Sequence, residues 1–354
     1  MHIPGRTFPV EDYMLEDVLE MTGYIPPKNG KKRYFGSGGQ QRPRKSTAWN
    51  DSEKSDNENE EEEEDLERTS SASSSTQTQG CPVPLEERIK RVENEARIDY
   101  DMLGQLVKYL IREKAMGADG SILVFLPGAP EINQAKTAID KITSGMPVLL
   151  LPLHGGLQPK EQNAVFRPSS NAVKVILSTN VAETSITIPD CTVVIDTCRE
   201  KQSSYDPVNR MPLLVEHFAS KASLKQRRGR AGRVREGKCY KLISKSTHAK
   251  LVEHTAPEIT RCALDQTLLS LLFLGVERGT GNFLRTLLDP PSQTSVDAAT
   301  LSLEKIGALE RVQGNEVRLT PLGMHLAGIP APPVVGKSKC ILTCCPATVG
   351  KFRV

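Results

Sequence analysis

Residues 121–154 read SILVFLPGAPEINQAKTAIDKITSGMPVLLLPLH, and their reading decides the fold. SILVFLP (121–127) is a short, continuously apolar run of the kind a strand buried on both faces requires. APEINQAKTAIDKI (129–142) then spaces its apolar residues as a helix does, and PVLLLPLH (147–154) returns to a strand. Strand, helix and strand of these lengths form a βαβ unit, whose two strands must run parallel.

The pattern continues outward in both directions. PKEQNAVF (159–166) reads as a helix, and AVKVILSTN (172–180), CTVVIDT (191–197) and GKCYKLIS (237–244) read as further strands. On the N-terminal side, residues 85–113 read as one helix with Leu103, Leu106, Val107 and Leu110 on a single face. The expected fold class is therefore α/β, a parallel sheet with helices on both faces. Ligands of such sheets gather at the carboxyl ends of the strands. That rule singles out LPG (126–128), LHGG (153–156), STNVAETS (178–185) and Asp196.

Outside the alternation the chain changes character. Residues 1–27 combine an extended, proline-containing stretch with an amphipathic segment, Val10 to Met21, and read as an interdomain segment. Residues 28–80 hold too few apolar groups to offset chain entropy and read as a disordered insert. Residues 81–244 cover the α/β domain. From 245 to 328, EITRCALDQTLLSLLFLG, NFLRTLLDPP and VDAATLSLEKIGAL give three helical patterns. NEVRLTPLG then adds a strand-like piece, and the whole suggests a winged helix or a helical subdomain packed on the sheet. Residues 329–354 read as a truncated or aberrant tail.

Charge and cysteine content narrow the partners. The net charge of the 354 residues is only +3. Residues 51–67 nevertheless carry eleven acidic side chains against Lys54, so the remainder is distinctly basic and suited to a polyanion. The eight cysteines lack zinc-ligand spacing and read as reduced thiols of an intracellular protein. No apolar run approaches the roughly 20 residues of a membrane helix, so no membrane partner is expected.

One stretch concentrates the basic charge. QRRGRAGRV (226–234) packs four arginines, a glutamine and two glycines into nine positions. As a helix it would bring Gln226, Arg230 and Arg233 to one face, beside Gly229 and Gly232, which strip bulk. Such an array suits phosphate oxygens, the alternative being a solvated basic helix.

Five stretches, in order, resemble motifs IV to VI of the second RecA-like domain of DEAH-box (DEAH/RHA) RNA helicases: ILVFLPGAPEI, LPLHGGL, ILSTNVAETSITIPD, VVIDTCREK and QRRGRAGRVREGKCYKL. IPGRTFPVEDYMLEDVLE is similar to the segment that leaves the family's first RecA domain, and residues 245–328 to its winged helix. The resemblance implies an ATP-dependent RNA helicase, here represented by an incomplete chain. In that reading Gln226 orients the attacking water, while Arg230 and Arg233 contact the γ-phosphate, Arg233 as the arginine finger. Gly229, Ser185, Thr187, Asp196 and Arg199 are implied on the nucleotide side, with Arg199 standing where many members stack an aromatic on adenine. Thr179, Asn180 and Thr184 are implied against the RNA backbone, although Thr179 and Asn180 also suit helix capping. Residues 199–217 should form the family's β-hairpin.

The implied cofactor is ATP with Mg2+, held mainly by the first RecA domain. No DEAH-type or SAT motif occurs in the sequence. APPVVGKS (331–338) meets a loose P-loop pattern, but its two prolines and missing leading strand deny it a cradle of backbone N–H groups. By the same resemblance the partner is RNA, with a leaning toward members that act on mRNA and ribosomes, and the compartment is cytoplasm or nucleus. The other functional class left open is a non-catalytic RNA-binding or regulatory module made as a short chain.

Overall fold

The computed structural model describes residues 8–28, 83–94, 97–117, 119–169, 171–184, 186–209, 211–275, 280–312 and 317–344. Lys28 aside, the insert expected over 28–80 lies outside them, as do the last ten residues of the tail.

Six strands build one sheet. The first, β1 (Val10–Tyr13), is followed by helices α1 (Leu15–Thr22), α2 (Leu85–Glu93) and α3 (Tyr100–Arg112). Then come β2 (Ser121–Phe125), α4 (Ala129–Ile142), β3 (Val148–Leu153), α5 (Pro159–Gln162), β4 (Val173–Ser178), α6 (Val181–Thr184) and β5 (Cys191–Asp196). A hairpin of β6 (Arg199–Asp206) and β7 (Met211–Phe218) leads to α7 (Lys221–Arg228) and β8 (Gly237–Lys241). The order across the sheet is β1-β8-β5-β2-β4-β3, every pairing parallel.

The apolar runs explain that order. Every residue of β2 and β5 is buried, as central strands covered on both faces require. Alternate side chains supply two cores: Ile122, Val124, Val193 and Ile195 pack beneath α1, α3 and α4, whereas Leu123, Phe125 and Val194 face Val165, Ala182 and Ala231. At one edge β3 carries Pro152, which an interior strand could not tolerate.

Two expectations change at the N-terminal end. The segment Val10 to Met21, read as one amphipathic stretch between domains, splits into an edge strand and a helix of this same sheet. Val10 lies opposite Gly237 and Tyr13 opposite Tyr240, whose ring stacks on that of Tyr13 at 4.8 Å between centroids. Leu15, Val18 and Leu19 are fully buried in the core. The single helix expected over 85–113 is two helices, because Asp99 caps α3 by accepting a hydrogen bond from the Met102 amide at 2.9 Å.

The remaining elements follow the sheet, and a third core lies among them. They are α8 (Lys245–Ala249), α9 (Asp265–Phe273), α10 (Thr280–Arg285), α11 (Gln293–Lys305), the antiparallel pair β9 (Leu309–Arg311) and β10 (Val317–Leu319), α12 (Pro321–Ala327) and α13 (Pro333–Cys344). Leu268, Leu269, Leu272, Leu303, Leu309 and Leu326 pack together there. Gly336 and Ser338 of the P-loop-like stretch lie inside α13: the Gly336 amide donates to the Pro332 carbonyl and Ser338 Oγ to that of Val334. Amides consumed by a helix cannot cradle a phosphate.

Candidate nucleotide and RNA interface

The arginine-rich stretch does not continue as a helix. α7 stops at Arg228, and residues 229–232 form turns. Glycine is the poorest helix former apart from proline, and Gly229 comes just where the helix ends. Gly232 serves a different need, since a Cβ there would fall 2.7 Å from the Phe8 carbonyl oxygen and 2.7 Å from Val10 Cγ2. The shared helical face expected for Gln226, Arg230 and Arg233 is therefore replaced by a short helix and a loop.

In that geometry the four arginines part company. Arg227 is 1% exposed. Its Nε donates to Glu183 Oε2 at 2.9 Å, Nη1 to Asp196 Oδ1 at 3.2 Å and Nη2 to Glu200 Oε2 at 2.7 Å. The guanidinium carbon also lies 5.3 Å from the centroid of the Phe125 ring. Arg228 pairs with Asp12 at 2.7 Å and donates to the Val10 carbonyl, fastening β1. Arg230 is 8% exposed and donates to the backbone carbonyls of Ile186, at 3.0 Å, and Glu183. Only Arg233 has an exposed side chain, with Nη1 donating to Thr187 Oγ1. Gln226 is exposed as well.

Electrostatics follow from these contacts. Burial works against the charge of Arg227, but the carboxylates, Asp196 foremost, more than offset it and hold the guanidinium above its ordinary value. Burial pushes the carboxyls of Asp196 and Glu200 up, while Arg227 pulls each back. Burial and the neighbouring Arg233 both lower the pKa of Arg230.

Two of the expected residues sit in closed surroundings. Asp196 is fully buried, bonded to Arg227 and to the Cys198 amide at 2.8 Å, so its carboxylate meets no ribose in this arrangement. Arg230 faces backbone carbonyls and would have to release them before touching a phosphate. Ser185 lies outside the described residues. Thr187 and Gly229 are exposed near Arg233 and Gln226, whereas Arg199 lies on the hairpin, paired with Glu216 at 3.2 Å and 5.1 Å from the Phe218 ring centroid.

The residues expected against RNA stand together after β4, at the carboxyl end of the sheet. Thr179 is half-buried, and Asn180 and Thr184 are exposed, Asn180 just before α6 and Thr184 as its last residue. The Glu183 amide donates to the Asn180 carbonyl at 2.9 Å, which fixes the turn through backbone atoms. The expected hairpin is present, with Arg199 opposite Phe218 and Asp206 opposite Met211.

Residues 102–235 match the family model described as the helicase conserved C-terminal domain. The chain carries the C-terminal helicase domain of the DExH/DEAH-box family. It is 38% identical over 341 residues to the DExH-box ATP-dependent RNA helicase DExH1 of Arabidopsis thaliana, covering 95% of this chain and 32% of that protein. It is 34% identical over 343 residues to the human ATP-dependent DNA/RNA helicase DHX36, again covering 95% and 32%. Among solved structures, the E. coli DExH-box NTPase HrpB superimposes with a TM-score of 0.62 at 25% identity, over 94% of this chain and 30% of that one. The chain thus spans about a fifth to a third of the length of the curated relatives it matches.

The comparisons leave the individual arginines to the geometry. Reasoning from spacing passed over Arg227, Glu183 and Glu200, which form the most buried charged cluster of the site. Three acidic residues beside apolar strand ends were a visible signal, but their convergence on one guanidinium was not.

Proposed function

We propose that this chain supplies the arginine finger and part of the RNA-binding surface of an ATP-dependent RNA helicase. The carrying observation is selective exposure. Three of the four clustered arginines are spent on contacts within the protein, while Arg233 and Gln226 face outward. A guanidinium held by one hydrogen bond at the rim of a sheet can neutralise charge developing on a phosphoryl group bound by another domain. Asn180 and Thr184, uncharged and exposed nearby, suit contacts with a sugar-phosphate backbone.

These residues fit the anionic oxygens of a nucleoside triphosphate. They do not fit its magnesium, because arginine, glutamine, asparagine and threonine side chains offer no carboxylate, the usual protein ligand of that ion. In this proposal the metal and most of the nucleotide belong to the first RecA domain. Residues 81–244, joined by β1 and α1, act as the second RecA-like domain, and residues 245–328 act as a winged helix.

The test is ATP hydrolysis with and without single-stranded RNA, measured on the full-length protein that carries this chain. Arg233→Ala and Arg233→Lys should both lower kcat by 10²-fold or more, since an ammonium cannot reproduce the planar fork. Rates equal to those of the unmodified enzyme in Arg233→Lys would overturn the finger assignment. This chain by itself should not hydrolyse ATP; turnover that disappears in Arg233→Ala would overturn that part.

A further inference from the structure

Arg227 has no place in the proposed chemistry, yet it is the most completely engaged side chain of the site. Its three N–H edges go to carboxylates from three separate segments: Glu183 in α6, Asp196 at the end of β5 and Glu200 near the root of the hairpin. Glu183 is held twice, its carboxylate by Arg227 and its carbonyl oxygen by Arg230. Arg230 also holds Ile186, and Arg233 holds Thr187. Glu183, Ile186 and Thr187 are thus tied on one side to the outward-facing arginine and on the other, through Arg227, to the hairpin.

The hairpin is anchored at its root through side chains of β6. On one side of β6, Glu200 reaches Arg227. On the other, Lys201 pairs with Glu131 of α4 at 2.8 Å. Arg261 donates to the Ser203 carbonyl at 3.1 Å, and beyond that Val208, Met211, Leu213 and Leu214 are exposed. Three carboxylates around one guanidinium make a poor stability device, because apolar packing at a buried ion cluster is often at least as stable. Such clusters are better suited to fixing a register between elements that can occupy two arrangements.

We infer that Arg227 is a positioning residue that couples α6, with the RNA-facing Asn180 and Thr184, to the β6–β7 hairpin, with Glu200 as the link. The inference rests on the RNA contact proposed for Asn180 and Thr184. Contact with RNA would shift α6, and with it Glu183; Arg227 would follow its partner, and Glu200 would carry the displacement into the hairpin.

The test is amide hydrogen exchange on this chain at low salt, with and without a single-stranded oligouridine probe, in the unmodified protein and in Glu200→Gln. Glutamine keeps the shape and one acceptor but loses the charge that binds it to Arg227. In the unmodified chain, the oligonucleotide should slow exchange both at residues 180–187 and across 199–218. In Glu200→Gln, protection should persist at 180–187 and fall by about fivefold or more in the hairpin, the scale of an ordinary coupling free energy. Hairpin protection equal in both proteins would overturn the coupling alone, and so would joint loss of protection at both places, which marks a merely structural residue. No protection anywhere in the unmodified chain would overturn the RNA reading and this inference with it.

Discussion

Arg227, Arg228, Arg230 and Arg233 are chemically alike, and their surroundings give each a separate task. Spacing alone could not sort them, because the sorting depends on where Gly229 ends the helix and on acids distant in sequence, Glu183 and Glu200 for Arg227 and Asp12 for Arg228. Replacing Arg227 with Met should destabilise the folded state by about 3–5 kcal/mol, since three buried carboxylates would lose their common cation. Urea denaturation measures this, and Arg233→Ala, at an exposed position, should leave the midpoint in place. Asp196 adds a pH signature. Burial holds its folded-state pKa above the ordinary 3.8, so the folded chain binds that proton more tightly than the unfolded chain does. The associated stability is complete below 3.8 and is lost as pH climbs through the raised value. Asp196→Asn lacks this loss. Its stability relative to the unmodified chain should therefore improve as a urea series moves from below pH 3.8 toward neutrality, then level off. A difference that stays flat across the series would show that the buried carboxyl has no such shift.

At the scale of elements, legibility followed burial. β2, β4 and β5 are runs of apolar residues covered on both faces, and that covering writes itself directly into composition. β1 is four residues, VEDY, with its middle two exposed, and no periodicity distinguishes it from a loop. Its place is set by partners elsewhere in the chain. The Phe8 amide donates to the Gly232 carbonyl at 2.9 Å, the Gly237 amide to Pro9 at 3.1 Å, and Arg228 adds an ion pair to Asp12. Gly232 is thus required by the strand rather than by a nucleotide. Gly232→Ala should push β1 off its neighbour at a cost of about 1–3 kcal/mol, the range for overpacking a filled site. Faster amide exchange at residues 10–13, with residues 121–125 still protected, is the expected result. Unchanged exchange at β1 would mean that the strand yields to a methyl group without losing its pairing.

For the whole molecule, the question is how a chain of net charge +3 holds a polyanion. The groups proposed to touch RNA, Asn180 and Thr184, carry no charge and so release no counterions when they bind. Any salt dependence must therefore come from lysines and arginines placed around them on the basic remainder of the chain. Binding to a single-stranded oligouridine should weaken as salt rises, with log affinity falling by roughly 0.7 per log unit of salt for each phosphate neutralised. Asn180→Ala should then lower affinity at every salt concentration while leaving that slope unchanged. Fluorescence anisotropy titrations at three or more salt concentrations separate the two effects. If affinity did not depend on salt, the basic surface would lie away from the bound strand. If the slope changed in Asn180→Ala, the substitution would have moved a cation out of contact, and Asn180 would act by shaping α6 rather than by meeting the RNA itself.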